Sequence, residues 1–286
     1  IRANLPQLFE NTSVLAVHDY DADGDLDVFV GSQSITGSFG KLPTSYLLEN
    51  KNGSFTIAQE FKELGMVTSA IWDDFDGDSK KDLIVTGEWM HPIFLKNTGD
   101  KLVKQDKIKG DLNGLWQSII AFDIDHDGDT DYVLGNWGEN SKFKASDEFP
   151  MLMYYSDFDA NGQTETLVVT EKNESYYPLL GLDALASQLV SLRKKYSTYR
   201  SFAGQTIEEI LSENQLKSSK KLKVNTLKSG YLRNDSGSYT FVPFNRDFQV
   251  APIMTFCKFD FDNDGADEIL AAGNYFGVQP FHGRLD

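Results

Sequence analysis

The stretch Asp19-Tyr20-Asp21-Ala22-Asp23-Gly24-Asp25-Leu26-Asp27, DYDADGDLD, decides the reading of this chain because its pattern returns four more times. DFDGDSKKD begins at Asp74, DIDHDGDTD at Asp123, DFDANGQTE at Asp157 and DFDNDGADE at Asp260. Every window has an acid or Asn at positions one, three, five and nine. Together they hold 22 of the chain's 43 acidic residues in 45 of its 286 positions. A solvated acidic turn needs no fixed spacing, whereas carboxylates at alternate positions of a short loop repel one another unless a cation sits between them.

Calcium takes six to eight oxygens, and a loop offering side chains from positions one, three and five, a carbonyl from seven and a carboxylate at the end supplies them. The candidate ligands are therefore Asp19, Asp21, Asp23, Asp25 and Asp27; Asp74, Asp76, Asp78, Lys80 and Asp82; Asp123, Asp125, Asp127, Asp129 and Asp131; Asp157, Asp159, Asn161, Gln163 and Glu165; and Asp260, Asp262, Asp264, Ala266 and Glu268, with position seven acting through its backbone. Four or five calcium ions are expected. Glycine at position six, Gly24, Gly128, Gly162 and Gly265, allows the sharp bend, and Ser79 stands there in the second window. With Asn161 replacing an acid, the window at Asp157 is expected to bind most weakly.

Each window sits in a larger unit. A short apolar strand precedes it, as in SVLAVHDY and TSAIWDDF, and a β-rich run follows, as in LDVFVG and DLIVTG. YLLENKNGSFTIAQE, IFLKNTGDKLVKQ and YLRNDSGSYTFVPF then read as hairpins turning at an Asn and a Gly. The unit is about four antiparallel strands carrying one acidic loop, which is the content of a propeller blade. This loop between two strands, repeated near blade spacing, resembles the FG-GAP or VCBS repeats of integrin α-chain β-propellers, and most closely bacterial surface proteins similar to cartilage acidic protein. The resemblance implies a calcium-stabilised β-propeller with its metal loops at one rim. About five repeat units are expected, alone or within a larger propeller, in one all-β domain spanning 1–286.

The windows begin 55, 49, 34 and 103 residues apart. The 34-residue step is short for a blade, so the loop at Asp157 is expected on a hairpin within its neighbour's blade. The 103-residue step holds a helical insertion over 182–223: Asp183 reads as a cap ahead of Leu185, Leu189 and Leu192, and Thr206 with Glu209 forms a capping box ahead of Ile207, Ile210, Leu211 and Leu216. Residues 172–233 carry eleven Lys or Arg against five acids. This basic segment reads as a solvated face complementing the acidic remainder, or as a docking surface for an acidic partner.

A net charge of -16 argues against nucleic acid as the partner, and no apolar run is long enough to span a membrane. One cysteine and four scattered histidines exclude a disulfide framework and a zinc cluster. The chain opens at Ile1 with neither Met nor a signal peptide and reads as a processed or excised piece. No serine-hydrolase elbow, P-loop or zinc-protease motif is present. Gly-x-aromatic triplets at Trp89, Trp137 and Tyr275 are candidate ligand-stacking positions, with interblade packing the commoner use of such rings. The leading expectation is a non-catalytic binding module, extracellular or at the cell surface, engaging a protein or polysaccharide. The alternative is an accessory or catalytic domain of a polysaccharide-degrading enzyme.

Overall fold

The computed structural model describes residues 4–274. The chain is all-β, built from antiparallel sheets. Sheet A takes four strands in order, Asn11–His18, Asp27–Ser34, Ser45–Lys51 and Ser54–Phe61; sheet B repeats this with Met66–Asp73, Asp82–Met90, Ile93–Asn97 and Leu102–Gln105. The acidic windows fall between the first and second strands, and the hairpins form the third and fourth. In each sheet the first strand lies against the next sheet, so A packs on B, B on C, and C on the two-stranded sheet E, Ile253–Phe259 with Glu268–Gly273.

Burial follows from this stacking. Sheet B is covered on both faces: Leu83 and Val85 meet Phe29 and Leu47 of sheet A, whereas Ile84 and Phe94 meet Tyr132 and Leu134 of sheet C. Its second strand, DLIVTGEWM, is accordingly a continuous buried run without alternation. The same latch recurs at successive interfaces. Ser13 Oγ donates to the Val67 carbonyl, Thr68 Oγ1 to that of Trp116 (2.7 Å) and Ser118 Oγ to that of Ile253 (3.2 Å). One sheet-to-sheet step is thus applied three times over.

Sheet C departs from chain order. Its strands are Ser118–Phe122, Asp131–Gly135, Gly230–Asn234 and Tyr239–Pro243, so the chain leaves it after the second strand and returns for the third. The excursion carries a whole further sheet, D: Met151–Ser156, Glu165–Lys172 and Ser175–Pro178, with Lys220–Val224 added beside Met151–Ser156. The loop at Asp157 therefore belongs to its own sheet and not to a hairpin in a neighbouring blade. Non-local pairing such as Tyr132 with Leu232 explains both the short step before it and the long one after.

The helical segment is five short helices: Leu182–Gln188, Ser191–Lys195, Tyr199–Phe202, Ile207–Ile210 and Glu213–Ser218. They stop at Ser218. Lys220–Val224 is strand because Leu222 and Val224 alternate with lysines and face inward. Gly181, not Asp183, is the first cap; Asp183 lies in the first turn and pairs with Arg193. The capping box of Thr206 and Glu209 forms as expected. Leu185, Leu189, Leu192, Ile207, Ile210 and Leu211 pack on Leu167 and Val169 of sheet D.

Sheet D covers the end of the stack opposite the acidic loops of sheets A, B and C, and its own loop at Asp157 stands apart from them. Met151, Met153 and Val224 pack there on Met66, Trp89 and Leu115. Asn136, where the excursion begins, is fully buried and clasps its return: Nδ2 donates to the carbonyls of Thr226 (3.2 Å) and Lys228 (3.3 Å), and Oδ1 accepts from the Leu115 and Trp137 amides.

Candidate metal centres

Five loops build one scaffold. The position-one carboxylate accepts amides from positions five and six: Asp19 from Asp23 (3.1 Å) and Gly24 (3.0 Å), Asp74 from Asp78 and Ser79, Asp123 from Asp127 and Gly128, Asp157 from Asn161 and Gly162, Asp260 from Asp264 and Gly265. Position five in turn accepts the amide of position seven, as Asp23 does from Asp25 and Asp127 from Asp129. Positions four and six are left-handed in every loop, a conformation that turns successive amides inward. Ser79 adopts it at φ 71°, and here glycine has moved to position four as Gly77. The serine therefore leaves the bend intact.

Position nine ties the loop to the sheet. Asp27 Oδ2 accepts from the Tyr20 amide (3.1 Å), and Asp131, Glu165 and Glu268 accept likewise from Ile124, Phe158 and Phe261. The other oxygen accepts from an Asn at the end of the third strand: Asp27 from Asn50 (2.8 Å), Asp82 from Asn97 (2.7 Å) and Asp131 from Asn234 (2.7 Å). The side chain of each Asn donates to the carbonyl of position eight and accepts the amide of the hairpin glycine. Sequence reading takes these asparagines for turn residues. Their place two or three residues before the hairpin glycine, in the repeats of sheets A, B and C, is the signal that could have found this role.

The scaffold gathers carboxylate oxygens within 4.8 Å of one another: positions one, three and five at Asp74 and Asp123, one, three and nine at Asp19 and Asp157, and all four at Asp260. Asp23, Asp82 and Asp131 stand outside these groups. Burial raises the carboxyls of Asp21, Asp27, Asp131 and Glu165 above their ordinary range and pushes Asp82 and Asp129 up to about 6. Asp82 Oδ2 and Asp129 Oδ1 are buried without a hydrogen-bond partner; the Phe75 amide favours the charged form of Asp82 without closing a hydrogen bond to it. An all-oxygen donor set of crowded carboxylates fits a hard divalent cation.

The FG-GAP-like repeat family model matches residues 19–85 and 74–134, each match opening on position one of an acidic loop. The chain carries FG-GAP-like repeats. A search of curated proteins finds no match. In these repeats the loop and the hairpin Asn are one structural unit, since the carboxylate at position nine is held from both sides.

The aromatic candidates stand elsewhere. Trp89 and Trp137 are only 8% and 9% exposed and share one apolar cluster with Met66, Met151 and Leu227. Ligand stacking on these two rings is thereby corrected to packing, because sheet D covers the end they occupy. Asn136 is committed to its clasp, and Glu88 accepts from Gln33 and Gln117. Tyr275 lies outside the described residues. The strand-end glycines admit backbone and not ligand: a Cβ at Gly135 would stand 2.3 Å from the Ile253 carbonyl oxygen, and one at Gly87 2.1 Å from that of Met66.

Proposed function

We propose that this chain is a calcium-stabilised propeller-type module that binds a protein or polysaccharide at the cell surface and performs no chemistry of its own. The observation that carries the metal reading is the fivefold scaffold, in which amides bind the rear of each loop and leave carboxylate oxygens converging. Residues 1, 3, 5 and 9 of a loop, with the carbonyl of position seven, would hold the ion. The repeated sheet-to-sheet step supports the propeller reading. So do the apolar residues left bare at both ends of the stack, Leu15 and Val17 on sheet A and Phe259 and Leu270 on sheet E. Loops of this structural kind commonly bind at roughly 10⁻⁴ to 10⁻³ M, which suits calcium outside cells.

For the partner surface we assign the polar cleft of about 710 Å³ between the loops of sheets C and D, lined by Asp111, Glu139, Asp147, Lys228 and Phe241. Carboxylates, an ammonium and a ring in one cleft suit a hydroxylated or mixed-charge chain. Binding to glycan and protein arrays, with calcium and with EDTA, tests the reading. Capture that is lost in EDTA and in Asp147→Ala/Lys228→Ala supports it; release of reducing ends from a polysaccharide panel would replace it with an enzymatic one.

A further inference from the structure

The third-strand residue just before the hairpin Asn differs in each repeat: Glu49, Lys96 and Arg233. In sheet B the Lys96 ammonium pairs with Asp76 and, at 3.1 Å, with Asp78 Oδ2, the carboxylates of positions three and five. It therefore sits among the oxygens that a metal would use. Those two carboxylates raise the affinity of Lys96 for its proton. In sheet C the equivalent cation is drawn away, because Arg233 pairs at 3.1 Å with Asp235, which also accepts from Lys109 and Thr240. In sheet A the position is acidic, and Glu49, paired with Lys51, adds its field to that of Asp21.

We infer that Lys96 is a tethered cation that closes the loop at Asp74 without metal, so that this loop takes calcium more weakly than the other four. The inference rests on the calcium reading above. An ammonium fixed to the neighbouring strand competes without any loss of translational freedom, and an incoming ion must displace it from two carboxylates and then bear its repulsion. Among the described residues no ammonium is ion-paired with the carboxylates of the loop at Asp157, so that loop, although it lacks one acid, outranks it. The residue before the hairpin Asn thereby sets the ion demand of the repeats in sheets A, B and C.

Calorimetric titration of the chelated full chain with calcium chloride tests this. The wild type is expected to take four ions with the fifth weaker by about tenfold, and Lys96→Met to bring the fifth into line. Asp21→Asn should remove one of the tight ions, whereas Asp76→Asn should leave all four. In EDTA the two substitutions should also differ in sign: Asp76→Asn lowers the melting temperature by removing a partner of Lys96, and Asp21→Asn raises it by relieving repulsion. Five equivalent ions in the wild type, or loss of a tight ion in Asp76→Asn, would overturn the inference while calcium binding stands. No uptake by either the wild type or Lys96→Met would overturn the ion reading itself, and the inference with it.

Discussion

At the scale of single residues, the position-nine carboxylate and the hairpin Asn carry more of the loop than the exposed acids do. Asn97 is 2% exposed, and its side chain donates to the Tyr20 and Lys81 carbonyls and accepts the Gly99 amide. Replacing it by Ala orphans buried groups in two sheets, and Asn97→Ala is expected to cost roughly 2 to 3 kcal/mol in urea denaturation. Asp82 and Asp129 set a pH dependence whose direction follows from burial. Their carboxyls titrate at about 6 when folded and ion-free, above their ordinary 3.8, so between those values the native chain holds protons that the unfolded chain has released. This contribution to stability is present at low pH and lost as pH rises. Melts in EDTA should therefore fall in temperature between about pH 4 and 6 as these two groups ionise, and saturating calcium should abolish or reverse that trend. A rising melt in EDTA would contradict it.

Among the elements, the sheet-to-sheet contacts leave little room. Gly135→Ala drives a methyl into the Ile253 carbonyl and should destabilise the chain by about 1 to 3 kcal/mol, read from its urea midpoint. Trp137→Ala should cost about 3 to 5 kcal/mol by opening the cluster beneath sheet D. The acidic windows, their flanking strands and the Asn-Gly hairpins were legible because each is a local pattern with its own spacing. Sheet D was not, since it depends on strands such as Asp131–Gly135 and Gly230–Asn234 pairing across the excursion. Packing of Trp89 and Trp137 was the commoner expectation, but the sheet that covers them was hidden for the same reason: nothing near them in the chain states which it will be. The reading of 220–223 as helical misled because helix-compatible residues form a strand whose partner, Met151–Ser156, only tertiary structure supplies.

On the scale of the whole molecule, sheet D lies at the end opposite the acidic loops of sheets A, B and C and carries the loop at Asp157 there, so the loops do not share the one rim expected from sequence; the cleft is lined by residues outside all five loops. Among the described residues no helix is long and apolar enough to cross a membrane. Each loop held at ten times its dissociation constant contributes roughly 1.4 kcal/mol, worth about 2 to 4 °C for a chain of this size. Four such loops predict a melting temperature about 8 to 16 °C higher in calcium than in EDTA; superimposable melts would rule calcium out as a stabiliser. The excursion has a further consequence during synthesis. Asn50 and Asn97 reach their carboxylates from 23 and 15 residues downstream, but Asn234 reaches Asp131 from 103. That longer closure costs about 1.3 to 1.7 kcal/mol more chain entropy. At roughly 5 to 20 residues per second, the nascent third repeat also waits some 5 to 20 s longer than its own length requires. Sheets A and B can mature on the ribosome while sheet C still exposes half a core, which makes its two orphaned strands the point in the chain's early life where a chaperone would be needed.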